Sequence, residues 1–207
     1  MSNAKDILKD KLSSEHLDKL LSLNNDEVNE FVAYAIELCE PDSVWVGNDS
    51  DEDAAYCRQL AIDNKEELPL AIAGQTVHFD GYYDQARKKE VTKYLVPADV
   101  DLDKKLNQVE REEGLKEIEG LQKGAYKGRQ MLVTFYCLGP TNSQFAIPCL
   151  QITDSAYVLH SEDMLYRRGY EEFKRQSVNP NFEFFKFRHA TGAVDDRMTS
   201  VNYDKNR

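Results

Sequence analysis

Apolar residues recur at helical spacing through the first forty positions of the chain. Two serines, Ser13 and Ser14, interrupt the first run and are followed by Glu15, which predicts that one helix ends there and a second begins. A third helix is predicted to begin at Asn25 or Asp26. Its apolar positions share one face, which predicts packing against a core: Val28, Phe31, Val32, Ala35, Leu38 and Cys39.

After residue 42 the pattern changes to short runs of β-branched and aromatic residues. Residues 43–46 are predicted to form a strand, and a helix is predicted over residues 53–62. The acidic run between them lacks the frame of a calcium-binding loop. Acidic side chains favour a helix N-terminus, so this run predicts a capped helix start instead of a metal site.

The second half of the chain alternates predicted strands and helices. Strands are expected over residues 68–73, 76–79, 91–96, 130–138, 145–153 and 182–189, and helices over 99–120 and 158–175. The first of these helices is highly charged and is predicted to break at Gly114. Pro148 lacks a backbone N–H, so its strand is expected at a sheet edge or bulge. The resulting prediction is an α/β fold with a mixed sheet and packed helices.

Composition narrows the possible functions. The chain has 207 residues and a formal net charge of −11, which argues against nucleic acid as a partner. No window approaches the ~18 apolar residues of a membrane span, and no secretory signal opens the chain, so a cytoplasmic location is expected. The four cysteines show no C-x-x-C spacing, which argues against zinc and fits reduced thiols. Cys137 and Cys149 fall in predicted strands and are expected in the core.

A series of short motifs runs from residue 127 to residue 169. In order, they are KGR-x-M, a strand, GP-x-x-S, ITDS-x-YV and R-x-G. Their order and spacing resemble the N-terminal lobe of the GTP-dependent phosphoenolpyruvate carboxykinases. The resemblance implies the α/β fold of that N-terminal domain. It divides the chain into an N-terminal helical segment at 1–24, the carboxykinase lobe at 25–192 and a tail at 193–207.

The resemblance also implies an activity for the full-length protein. Enzymes of this family are lyases of gluconeogenesis that convert oxaloacetate and GTP to phosphoenolpyruvate, CO2 and GDP, using Mn²⁺ and Mg²⁺ with GTP. The Gly-rich phosphate loop and the metal ligands of the family are absent from these 207 residues. The chain alone is therefore expected to be inactive, with no catalytic, metal or cofactor residue. Its expected partners are the substrate and a C-terminal nucleotide-binding lobe.

One substrate ligand is implied by the resemblance. The segment Gly81–Arg87 matches a family motif through Asp84, Ala86 and Arg87, although Gly81-Tyr82 replaces the family's Asp-Pro. In the family this arginine binds the carboxylate of oxaloacetate or phosphoenolpyruvate. A guanidinium suits that role because its planar fork donates two parallel hydrogen bonds to a carboxylate.

Other charged residues near the motifs are predicted to be structural. Lys127 and Arg129 could bind phosphate, but structural ion pairs are favoured. His189 is expected to be structural and not a catalytic base, because the resemblance implies no metal-ligand role for it. Asp163 stands where the family has an arginine, so no ligand role is assigned to Arg168.

Three alternatives to the GTP-dependent enzyme stay open from the sequence. A related carboxykinase that uses pyrophosphate would read its phosphoryl donor with residues that this chain lacks. A non-catalytic binding module could reuse the same lobe, which its acidic surface would suit. An unrelated α/β domain without a ligand is the weakest alternative.

Overall fold

The computed structural model of the chain describes residues 4–78 and 92–191. The chain divides into two compact units. The first unit combines Met1–His78 with Gly124–Thr191, and the second combines Phe79–Lys123 with Gly192–Arg207. The boundaries predicted near residues 24 and 192 stay predictions.

Three helices of the first unit begin at residues whose side chains cap them, and the sequence indicated the first two of these caps. Ser13, Asn25 and Ser50 each accept a hydrogen bond from a backbone N–H of the first helical turn, which satisfies a donor that has no partner within the helix. The helices described along the chain are α1 Ala4–Lys11, α2 Ser14–Leu21, α3 Asp26–Cys39, α4 Asp51–Asp63, α5 Arg111–Gln122, α6 Ala156–Leu165 and α7 Tyr170–Gln176. The predictions for α1 to α4 are confirmed within a few residues.

The strands confirm the predicted mixed α/β fold. They are β1 Ser43–Val46, β2 Leu68–Pro69, β3 Thr76–Val77, β4 Tyr94–Val96, β5 Gln108–Glu110, β6 Gln130–Leu138, β7 Ile147–Thr153, β8 Arg167–Arg168 and β9 Phe185–Arg188. The main sheet has the order β1-β6-β7-β9, with β8 also paired to β6. β1 and β6 are parallel, β6 and β7 antiparallel, and β7 and β9 parallel.

Pro148 lies in an interior strand, but at a position that is compatible with its missing N–H. On one side it is opposite Cys137 of β6. On the other side β9 begins to pair only at Cys149. The expected edge position is therefore wrong for β7 as a whole and correct for the pairing around Pro148 itself.

The two faces of the main sheet carry separate apolar cores. One face packs against helices α1, α2, α3 and α7, with buried side chains such as Leu20, Val32, Phe135 and Phe173. The opposite face packs against α4 and α6 through Trp45, Cys57, Leu132 and Leu159. Because both faces are covered, β6 is buried along almost its whole length, which explains its nearly continuous apolar sequence.

The helix predicted over residues 158–175 is wrong as a single element. It is divided into α6 and α7 by β8, which pairs with Tyr136 and Cys137 of β6. Gly169 permits this division, because a Cβ atom there would lie 2.6 Å from the Tyr136 carbonyl carbon and 2.8 Å from the Cys137 nitrogen. Any larger residue would push the chain away from β6.

The described part of the second unit is smaller. β4 and β5 pair in parallel, and α5 packs against both strands. The predicted helix over residues 99–120 is therefore wrong in its first half, which contains β5. The break predicted at Gly114 is also wrong, since a Cβ there would lie 2.8 Å from Leu95 and from Val109. This glycine lets α5 approach the strands closely instead of ending the helix.

Candidate functional site

The ITDS motif lies where β7 ends and α6 begins. Asp154 follows the last residue of the strand, and its side chain is fully buried. Its carboxylate accepts hydrogen bonds from Arg129 Nη1 and from both the backbone N–H and the hydroxyl of Thr191, the latter two at 2.8 and 3.1 Å. The buried charge is thus paired and hydrogen-bonded, as burial in a low-dielectric interior requires. Arg129 is a structural ion-pair partner, as predicted.

Ser155 is the N-cap residue of α6, and it also hydrogen-bonds a second carboxylate, that of Glu66. Its hydroxyl oxygen accepts from Val158 N and caps the helix. The same hydroxyl donates to Glu66 Oε2 at 2.6 Å, and Tyr157 N donates to that oxygen at 2.7 Å. A carboxylate at a helix N-terminus is favoured by the free N–H groups and the helix dipole. Glu66 therefore fixes the end of α4 to the start of α6.

His78, which follows β3, also contacts the start of α6 and Glu66. The imidazole ring of His78 stacks on the Tyr157 ring with centroids 3.6 Å apart, and its Nδ1 lies 2.7 Å from the Glu66 carbonyl oxygen. Next to this contact, Glu67 Oε1 lies 2.7 Å from Nδ1 of the buried His160. The β2–β3 hairpin is thus held to α6 at both ends. Glu66, Glu67, His78 and His160 carry no motif in the sequence, so sequence reasoning missed their contacts.

Arg87, the predicted substrate ligand, lies outside the described residues. The described chain stops at His78, nine positions before it in sequence, and resumes at Thr92. The last described residue before that segment, His78, contacts Tyr157 and Glu66.

Three further residues that the motifs singled out make structural contacts. Lys127 pairs with Glu40 at 2.8 Å, as predicted. Arg167 donates to the Gly139 carbonyl oxygen at 3.0 Å, so the R-x-G motif holds the end of the GP turn. His189 contacts Thr153 Oγ1 through Nδ1 at 2.9 Å, and its carbonyl oxygen accepts from Tyr126 Oη. These contacts agree with the structural role predicted for His189.

The acidic run after β1 serves as a set of caps and ion-pair partners. Asp49 accepts from the backbone N–H groups of Tyr170 and Glu171, so it caps α7 from a distant part of the chain. Arg168 donates to the Asp49 carbonyl oxygen and also pairs with Asp163 at 3.1 Å. Asp163, which stands where the family has an arginine, therefore has Arg168 as its ion-pair partner.

The thiols of the first unit are unsuited to nucleophilic chemistry. All four cysteines are free and buried. Burial raises the pKa of Cys57 to about 12 and that of Cys149 to about 12, so both stay protonated near neutral pH. A thiol in that state is a poor nucleophile and a poor metal ligand, and these side chains serve as small core residues.

Within residues 4–78 and 92–191, no group of three or more His, Cys, Asp or Glu side chains is arranged to hold a metal ion. The described residues therefore do not fit the Mn²⁺ and Mg²⁺ that the family resemblance implies. None of the helices in that same part of the chain is long and apolar enough to cross a membrane.

The similarity to known proteins extends along nearly the whole chain. Residues 30–207 match the family model described as the phosphoenolpyruvate carboxykinase N-terminal domain. A protein of Thermococcus sibiricus named phosphoenolpyruvate carboxykinase [GTP] is 50% identical over 98% of this chain and 32% of its own length. Proteins of the same name from Pyrococcus furiosus and Saccharolobus solfataricus are 46% and 40% identical over 100% and 99% of this chain.

These relatives are about three times longer than the chain. It covers 33% of the Pyrococcus furiosus protein and 32% of the Saccharolobus solfataricus protein, so it spans about a third of the curated relatives it matches. The family model covers most of the chain, and the fold and the buried ITDS junction agree with the motifs that suggested it. The chain therefore belongs to the phosphoenolpyruvate carboxykinase family, with the sequence of its N-terminal domain.

Proposed function

We propose that this chain is the substrate-binding lobe of a phosphoenolpyruvate carboxykinase that uses GTP. The observation that carries the proposal is the match of residues 30–207 to the N-terminal domain of that family. The names of the relatives, all of which specify GTP, favour GTP over the pyrophosphate alternative. The proposed reaction of the complete protein is conversion of oxaloacetate and GTP to phosphoenolpyruvate, CO2 and GDP.

In this proposal Arg87 binds a carboxylate of oxaloacetate or phosphoenolpyruvate. A guanidinium can donate two charge-assisted hydrogen bonds to a carboxylate and fix its orientation. Support comes from the match of Asp84, Ala86 and Arg87 to the family motif, within the residues that the family model covers. Holding one end of the substrate in a fixed orientation lowers the entropic cost of reaching the transition state.

The remaining functions are proposed to lie in the rest of the protein. A nucleotide-binding lobe would supply the GTP site and the ligands of Mn²⁺ and Mg²⁺. Those ions would neutralise the charge that develops on the transferred phosphoryl group. This chain would contribute substrate orientation and the positioning of the Arg87 segment.

Replacement of Arg87 in the full-length protein tests the proposal. Loss of a bidentate carboxylate contact should lower kcat/KM for oxaloacetate by roughly 100-fold in Arg87→Ala, since two charge-assisted hydrogen bonds are removed. Arg87→Lys keeps the charge but not the fork and should recover only part of the loss. Thermal unfolding should be unchanged in both variants.

Two results would contradict parts of the proposal. Unchanged kinetics in Arg87→Ala would remove Arg87 from the substrate site while leaving the reaction intact. Decarboxylation of oxaloacetate with GTP by the 207 residues alone would contradict the division of labour between the two lobes. Both assays use the purified proteins with GTP and divalent ions, with product measured as phosphoenolpyruvate.

A further inference from the structure

A small cavity lies beside the C-terminal half of α6, bordered by residues of β6, β7 and β9. Its volume is about 110 Å³. Tyr136, Cys149, Gln151, Glu162, Tyr166 and Phe187 line it. A cavity of this size holds several non-hydrogen atoms, since a dry apolar cavity of roughly 150 Å³ accommodates benzene. The lining combines one acidic side chain with three aromatic rings and includes no lysine or arginine.

Glu162 is the unusual member of the lining. Its Oε2 atom is buried and has no hydrogen-bond partner among the described residues. A buried carboxylate oxygen without a donor is costly, because the charged form loses its hydration and gains nothing in return. Burial accordingly raises the pKa of Glu162 from 4.5 to about 7.

Three polar neighbours of Glu162 donate hydrogen bonds to backbone carbonyl oxygens. The Tyr136 hydroxyl donates to the Leu159 carbonyl oxygen at 3.0 Å. The Cys149 thiol donates to the Tyr136 carbonyl oxygen at 3.4 Å, and the Gln151 amide donates to the Ile152 carbonyl oxygen at 3.0 Å. None of these groups donates to Glu162 Oε2, which has no hydrogen-bond partner among the described residues.

Aromatic rings complete the chemistry of the cavity. The rings of Tyr136 and Tyr166 have centroids 6.3 Å apart and are tilted by 56°. Phe187 lies on β9, opposite Gln151 of β7, and is 45% exposed, so the cavity is bordered by a side chain that solvent reaches. The negative faces of aromatic rings attract cations, and a carboxylate among such rings favours an ammonium group.

We propose that this cavity binds a small organic monocation, a primary or methylated ammonium ion, with Glu162 as its counter-ion. The N–H groups of the ammonium would donate to Glu162 Oε2, and its methyl or methylene groups would contact the rings of Tyr136 and Tyr166. A divalent metal fits less well, because hard cations need several oxygen ligands and this lining has one carboxylate. The proposal rests on residues of the first unit and does not involve Arg87.

Binding should depend on pH through Glu162. The other ionisable groups that face the cavity are Tyr136 from β6, Cys149 from β7 and Tyr166 after α6. Burial raises the pKa of Tyr136 well above its usual value, and that of Cys149 to about 12, so neither ionises near neutrality. The ammonium should bind the ionised carboxylate, so affinity should rise from pH 5.5 to pH 8.

Titration of the 207-residue chain with methylammonium chloride at pH 8, followed by NMR chemical shifts of the backbone amides, tests this proposal. Shifts should concentrate at Tyr136, Cys149 and Glu162 and saturate. Glu162→Gln should weaken binding at least about tenfold, because a charge-assisted contact is replaced by a neutral one. Tyr166→Leu, which removes one ring and keeps the carboxylate, should weaken binding by a smaller factor.

Glu183→Gln is the matched control, since it removes the same charge at an exposed position and should leave the binding curve unchanged. Three results would overturn the proposal. These are absence of saturable shifts in the wild type, equal binding by the wild type and Glu162→Gln, and an equal effect of potassium chloride at the same concentration. Dispersed amide spectra of each variant establish that it is folded.

Discussion

The two ends of α6 each place a carboxylate in the protein interior, with opposite consequences. Asp154, just before the helix, accepts hydrogen bonds from Arg129 and Thr191. Glu162, in the last turn, has a buried oxygen that accepts from none of the described residues. Both groups are acids of similar intrinsic strength, and they lie eight positions apart on one continuous segment.

The comparison indicates that the hydrogen-bond donors around a buried carboxylate, more than its burial, determine its role in the fold. At Asp154 the carboxylate accepts hydrogen bonds from the Arg129 guanidinium and from Thr191, and it thereby connects the end of β7 with the start of β6 and the chain near Thr191. At Glu162 nothing stabilises the charge, and burial raises its pKa to about 7. The first acid contributes to structure, whereas the second is available to a ligand or a proton.

The largest expected effect comes from breaking the pair at Asp154. Asp154→Asn should lower the free energy of unfolding by about 3 kcal/mol, because the fully buried side chain at this position loses its charge-assisted hydrogen bonds from Arg129 and Thr191. The measurement is urea unfolding at pH 7 followed by tryptophan fluorescence. A cost below about 1 kcal/mol would place Asp154 with ordinary surface ion pairs.

Glu162→Gln should instead raise the free energy of unfolding. The folded pKa of Glu162, about 7, lies above its usual 4.5, so folding favours the protonated form and the wild type loses stability as pH rises from 4.5 through 7. The variant should therefore be more stable than the wild type by roughly 2–3 kcal/mol at pH 8. At pH 4.5 the two should unfold at nearly the same urea concentration.

The control for this prediction is Glu183→Gln, whose carboxylate is exposed. Its unfolding midpoint should differ from that of the wild type by a similar small amount at both pH values. A stabilisation of Glu162→Gln that is independent of pH would show that ionisation of this acid is not responsible.

Glu66 offers an intermediate case, because it is partly buried and its carboxylate accepts three hydrogen bonds, from Ser155, Tyr157 and Asn64. Glu66→Gln keeps the shape of the side chain but loses the charge at the N-terminus of α6. We expect a loss of about 1–2 kcal/mol of unfolding free energy. Hydrogen exchange should accelerate at Tyr157 and in the β2–β3 hairpin more than in β6, and uniform acceleration would contradict a local role.

The smallest effect is expected at an exposed ion pair of the second unit. Lys93 and Glu117 lie 2.8 Å apart with 36% and 54% of their side chains exposed. Glu117→Gln should change the unfolding free energy by at most about 0.5 kcal/mol, since solvent screens the pair. A loss comparable to that of Asp154→Asn would mean that burial of the carboxylate does not explain the difference in stability between the two ion pairs.

Much of the first unit could be predicted from local sequence. Ser13 and Asn25 cap helices because their side chains satisfy N–H groups only a few residues away. β6 was predicted over the residues that it occupies, because a long β-branched and aromatic run ends at a glycine and a proline. For Lys127 and Arg129 the sequence favoured ion pairs over phosphate binding but did not identify their partners, Glu40 and Asp154.

Other features required the folded chain, because they depend on residues far apart in sequence. β8 divides the predicted helix over 158–175, since backbone pairing with β6 outweighs local helical preference. Glu66 contacts Ser155 across 89 positions, and no periodicity indicates such a pair. By itself the sequence determined helices α1 to α4 and strands β1 and β6, because these depend on interactions between near neighbours, and its motifs indicated the family. Only the tertiary structure decided which buried acids acquired donors, because donors such as Arg129 and Thr191 arrive from other strands and loops.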